Sequence, residues 1–147
     1  MTLPDIYVPA GSTGHGNFTV DIDPQRAGWT FSGLRVLTLD SGASQELTTG
    51  EAEVLVLPLQ GSASVTVDGQ TYDLQGRRGV FSGVTDYLYV GRGKDVMITS
   101  ARGGRFAFPS AIAARDLPVA YYPKSQVRVD LRGAGDCSRQ VNNYSLA

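Results

Sequence analysis

The sequence has one histidine, His15, and one cysteine, Cys137, among its 147 residues. A single histidine rules out every site that draws two histidines from one chain: HExxH proteases, histidine-rich zinc sites and a self-contained two-histidine iron site. A single cysteine excludes an intrachain disulfide, and cytoplasm is then the simplest location. Long apolar runs are missing as well. The longest, Val54–Leu59, is interrupted by Pro58 and is far shorter than the roughly 18 residues of a membrane span. Met1-Thr-Leu-Pro-Asp5 has no basic segment leading into an apolar one, so no signal peptide is expected. Capped helical periodicity is also lacking, and Ala111–Ala114 suggests one helical turn at most.

What is present is a strand rhythm. With 41% hydrophobic residues and 18 glycines, the chain suits one globular domain. Candidate strands are Asn17–Ile22, Leu34–Leu39, Glu53–Leu57, Ser64–Val67, Gln70–Leu74, Gly79–Phe81, Asp86–Val90, Asp95–Thr99, Arg105–Phe108 and Val127–Leu131. The near-continuous apolar run Glu53–Leu57 suits a strand buried on both faces. Asp68-Gly69, between two alternating strands, suits a type I′ hairpin whose two central residues need positive φ. Short strands between Gly-rich turns indicate an all-β sandwich or barrel. Residues 1–28 read as an N-terminal arm, residues 29–131 as the domain, and residues 132–147 as a polar segment resembling a linker cut short.

Charge is unevenly distributed. Residues 1–100 carry six Lys/Arg against eleven Asp/Glu, and residues 101–147 carry seven against three. Six of those seven cations are arginines, whose forks pair with carboxylate or phosphate on a substrate or on the same protein. They are spread too thinly for a nucleic-acid surface, so neither nucleic acid nor a membrane is expected as a partner.

Several local patterns invite chemistry. Gly11-Ser-Thr-Gly-His-Gly16 has the glycines of a phosphate loop without its Lys-Ser/Thr or its helix, so it reads as a surface loop with a solvated His15. Glu51 and Glu53, or Asp86 and Tyr87, are candidate acid/base pairs, although nothing else in the sequence converges on them. Cys137 beside Asp136 and Arg139 is either a reactive thiol or a buried or half-buried one.

The segment from Leu39 to Val90 resembles a cupin barrel. Gln45-Glu-Leu47 and Glu51 take the spacing of its His-x-His…Glu motif, and Ser82–Tyr87 that of its second motif. The positions that bear metal ligands in cupins hold Gln45, Leu47, Glu51 and Tyr87, which is no metal set. A narrower resemblance rests on Glu53–Gly61, Val80-Phe81, Tyr87–Val90, Ile98–Ala101, Gly104–Ser110 and especially Arg132–Tyr144. These runs are similar to 5-deoxy-glucuronate isomerase, a bicupin family of inositol catabolism.

That resemblance implies a cupin-like β-barrel or jelly roll with extended N- and C-terminal arms. It implies aldose–ketose isomerisation of a deoxy-hexuronate, with this chain as the non-metal N-terminal half. The family's divalent metal belongs to a second cupin after the Arg-Gln-Val-Asn-Asn segment, so no cofactor is expected in this chain. Arg139, Asn142 and Asn143 are candidate contacts for the acidic sugar or for that second half. Expected partners are a sugar acid and either the second cupin domain or a second copy in a homodimer. The alternative is a free-standing degenerate cupin that binds a small carboxylate or serves assembly without catalysis.

Overall fold

The structure, a computed structural model, describes residues 7–145. It is all-β, as the strand rhythm implies. Eleven strands run in order: β1 Phe18–Ile22, β2 Ser32–Leu39, β3 Ala43–Thr48, β4 Ala52–Val67, β5 Gln70–Arg77, β6 Tyr87–Val90, β7 Asp95–Ser100, β8 Gly104–Ile112, β9 Ala120–Tyr122, β10 Arg128–Arg132 and β11 Arg139–Asn143. The helical segments among the described residues are short: 3-10 turns at Lys124–Gln126 and Gly135–Cys137, and α1 Pro24–Ala27, capped by the Asp23 carboxylate, which accepts the Arg26 N–H at 2.7 Å.

The strand β4 organises the fold. Its first half pairs with β8 and β6 in one sheet, β1-β2-β8-β4-β6-β9. Its second half pairs with β5 and β7 in the other, which β3 extends. All pairings are antiparallel, and the shared strand closes the sheets face to face.

Serving both sheets requires a change of face. Val54, Val56 and Pro58 are buried on one parity, and Ala63, Val65 and Val67 on the other. The ladders to β8 and β5 slip between Pro58 and Gln60 and between Gly61 and Ala63. These bulges switch which side chains face inward. Both halves thereby point into one core with Leu37, Leu39, Leu74, Leu88, Val90, Ile98, Phe106 and Phe108.

Several expectations need correction. Leu55 and Leu57 are only half-buried, so Glu53–Leu57 is not enclosed on both faces. Gly79–Phe81 is no strand. The Ser82 N–H bonds to the Gly79 carbonyl at 3.0 Å, closing a turn that leaves Phe81 fully exposed. Ala111–Ala114 makes no helical turn, because Ala111 and Ile112 continue the ladder to Glu53 and Ala52. The strands β3, β9 and β11 were not foreseen. β11 pairs with β10, Arg132 lying opposite Arg139, as a separate two-stranded ribbon. No helix among the described residues is long and apolar enough to cross a membrane.

Candidate functional site

The barrel interior is the first place to look for a site, and it is filled. Phe106, Phe108, Leu37, Leu74, Leu88 and Ile98 are among its largest fully buried side chains. Gln45 and Leu47 lie opposite Ile98 and Val96, so they share the inward face. Leu47 packs on the core, and the Gln45 amide oxygen accepts from Asn17 at 3.1 Å. Glu51 stands exposed in the turn before β4. Tyr87 has the parity of Tyr89, opposite that of the inward-facing Leu88 and Val90, and so lies on the outer face of its sheet. Its hydroxyl accepts the Ser145 N–H at 2.9 Å. An amide, an alkyl chain, a solvated carboxylate and an engaged phenol, divided among three places, do not fit a divalent metal. Among the described residues no group of three or more His, Cys, Asp or Glu is placed to hold a metal.

The outer face around β6 is aromatic. Tyr87 stacks on Tyr122 at 4.8 Å, and Tyr144 meets Tyr87 edge-on at 5.6 Å. The Thr85 N–H donates to the Tyr144 hydroxyl at 3.3 Å, so the C-terminal segment is tied back onto the barrel. Tyr89 donates to Glu53 at 2.7 Å. Loss of solvent around the phenol, then that bond, pushes Tyr89 up to about 12.

Asp86 is fully buried where β5 meets β6. It accepts the Gln75 and Gly76 N–H groups at 2.7 and 2.9 Å, the Tyr121 hydroxyl at 2.8 Å and the Thr85 hydroxyl at 3.2 Å. Four donors occupy the carboxylate, which suits a structural staple between the sheets rather than a proton shuttle. Desolvation, then the bond to Asp86, raises Tyr121 to about 12.

Arg139, Asn142 and Asn143 lie along β11 without converging. Arg139 is exposed and donates to the Cys137 carbonyl at 3.3 Å. Asn142 accepts from Gln140 at 2.9 Å, and Asn143 donates to the Arg128 carbonyl at 3.2 Å and to Asp130 at 3.1 Å. Arg128 and Arg132 also pair with Asp130, at 3.0 and 3.4 Å. The hydrogen bond from Arg128 is the main cause holding that carboxyl below its usual range. Cys137 is exposed, not buried or half-buried. His15 is exposed as expected, with its Nε2 2.6 Å from Asp21.

The feature that sequence reasoning missed is a broad cleft of about 940 Å³ where β4 crosses between the sheets. Arg77, Arg78, Arg102, Arg105 and Lys124 line it, with Asp40 as the single carboxylate. Its floor is backbone. A Cβ on Gly76 would lie 1.7 Å from the Gly61 carbonyl oxygen, and one on Gly61 2.6 Å from that of Gly103. Gly61 and Gly76 also have φ of +90° and +64°, so only glycine lets the strands approach this closely. Arg77 is pinned, donating to the Pro58 and Gly83 carbonyls at 3.0 and 2.9 Å. The arginine excess after residue 101 does not mark it: only Arg102 and Arg105 of those six line the cleft, and Arg77 and Arg78 come from the acidic part of the chain.

Comparison with known proteins bears on these sites. A family model described as the KduI/IolB family matches residues 6–147. The chain is 26% identical over 140 residues to a protein named 5-deoxy-glucuronate isomerase from Geobacillus kaustophilus (strain HTA426), covering 94% of this chain and 51% of that one. A second protein of that name, from Geobacillus thermodenitrificans (strain NG80-2), is 27% identical over 84% of this chain and 46% of its own length. Among solved structures, an IolB-like protein from Salmonella typhimurium LT2 is similar with a TM-score of 0.82 and 28% identity, over 89% of this chain and 51% of that one. The chain spans about half the length of the curated relatives it matches.

Proposed function

The chain belongs to the KduI/IolB family, and from that premise we propose that it is the non-metal half of a 5-deoxy-glucuronate isomerase. The reaction is aldose–ketose isomerisation of a deoxy-hexuronate in inositol catabolism, in the cytoplasm. The observation that carries this reading is the barrel interior. Aliphatic and aromatic side chains fill the space where a cupin holds its metal, and Leu47 occupies a ligand position. Metal chemistry, which polarises a carbonyl and a neighbouring hydroxyl for proton transfer, therefore belongs to a second cupin. This chain supports that domain, and the tail from Arg139 to Tyr144 leads toward it; Arg139, Asn142 and Asn143 contact the acidic sugar or the second half.

The test is an isomerase assay on purified protein. The chain alone is expected to give no turnover of 5-deoxy-glucuronate, with or without added divalent metal. Joined to a metal-bearing cupin domain of the family, it is expected to turn over. Activity of the chain alone overturns the reading, as does an inactive but folded joined protein. A second reading, a small-carboxylate-binding module without catalysis, is favoured by the unpaired arginines of the cleft.

A further inference from the structure

We propose that the cleft at the crossover of β4 is a binding site for a small molecule bearing two or more acidic groups, phosphate or carboxylate. This stands whether or not the chain takes part in isomerisation.

The cleft carries unmet charge. Arg78, Arg102, Arg105 and Lys124 converge on one cleft, yet none makes an ion pair or a side-chain hydrogen bond among the described residues. Some cations elsewhere do find carboxylates, Lys94 with Asp68 and Asp116, and Arg128 and Arg132 with Asp130; Arg26 and Arg115 have none among the described residues but stand outside any such cluster. Like charges held together without counter-charge repel, and a bound anion relieves that repulsion. Arginine forks match carboxylate and phosphate oxygens in pairs.

The size and the remaining charge define the ligand. The volume of about 940 Å³ sits at the upper end of the range for small-molecule sites. The cleft lining carries a net charge of +4 in a chain of net −1, so the rest of the protein is −5. A long polyanion such as nucleic acid would gain in the cleft and be repelled beyond it. A compact ligand with two acidic groups meets only the favourable part. Arg77, pinned by the Pro58 and Gly83 carbonyls, gives one wall a fixed shape.

Isothermal titration at low salt with inorganic pyrophosphate and with citrate tests this. At least one probe is expected to bind below about 1 mM. The double variant Arg102→Gln/Arg105→Gln is expected to weaken binding at least about tenfold, with its fold verified by thermal unfolding. Lys94→Met, at the far end of the barrel, is expected to change affinity less than about twofold. Pyrophosphate alone identifies a phosphorylated ligand, citrate alone or both a site that accepts carboxylates; each supports the proposal. No binding of either probe up to about 10 mM, or undiminished binding by the double variant, overturns it. The isomerase assay reads neither outcome, so the two proposals fail separately.

Discussion

The two ends of the barrel are built from the same strands and solve opposite problems. At one end the hairpin Asp68-Gly69 and the turns around Thr49 and Lys94 are closed by side chains. The Thr49 hydroxyl donates to the Gly91 carbonyl at 2.9 Å and accepts the Lys94 N–H at 2.9 Å, while Lys94 pairs with Asp68 and Asp116 at 3.0 and 3.4 Å. At the other end Gly61, Gly76 and Gly103 bring backbone against backbone, and the cations above them have no carboxylate partner among the described residues. The first end uses its polar groups on itself. The second also closes its backbone, through Arg77 and the Ser100 hydroxyl, but among the described residues Arg78, Arg102, Arg105 and Lys124 make no ion pair there.

The largest effect should come from giving the open end a side chain. Gly76→Ala places a Cβ 1.7 Å from a carbonyl oxygen at positive φ, and a loss of about 3 kcal/mol or failure to fold is expected in urea unfolding. Gly69→Ala at the closed end has positive φ but open space around its Cβ; it should cost only about 1 kcal/mol. Equal costs would break the contrast.

Asp86→Ala is next. It strands the buried Gly76 amide and the part-buried Gln75 amide beneath the open end, and a loss of about 2–3 kcal/mol is expected. Its second readout is spectrophotometric. Tyr121, raised from 10.0 to about 12 in the native protein with Asp86 as a named cause, should titrate closer to 10.0 in the variant. The sign follows from the raised value: this phenol's contribution to stability is complete below pH 10.0 and is lost as pH climbs through about 12.

Smaller effects sharpen the electrostatic part. Lys94→Met removes two surface ion pairs and should lower the unfolding midpoint only slightly, and less in high salt. Arg105→Gln should do the reverse, raising stability by under about 0.5 kcal/mol at low salt and by nothing at high salt. A destabilisation there would mean that Arg105 has a structural partner.

Parts of this contrast were legible in the sequence, and they are the local parts. Asp68-Gly69 announces its turn because the conformation is a property of two adjacent residues, and both take positive φ. The crossover was not legible. Val54 to Leu59 reads as one apolar run, and nothing local says that bulges near Gly61 change the buried face. β3 escaped notice because Ala43, Gln45 and Leu47 alternate with polar Ser44, Glu46 and Thr48, an edge-strand pattern with only one large apolar side chain. β11, Arg-Gln-Val-Asn-Asn, has still less to mark it as a strand. For the site, sequence reading placed Gln45, Leu47, Glu51 and Tyr87 at the cupin ligand positions by spacing alone; the structure distributes them over three separate environments. Sequence reading could not assemble the cleft, because Arg77 and Arg105 are brought together only by the pairing of distant strands.

The most direct measurement is a pyrophosphate titration of the isotopically labelled chain, followed amide by amide in proton–nitrogen correlation spectra. The expected result is saturable shifts at Gly61, Gly76, Gly103 and Arg105, with Gly50, Gly69 and Gly93 at the closed end unmoved. Shifts spread evenly over both ends, or confined to the closed end, would contradict the division of the barrel into a self-satisfied end and a binding end.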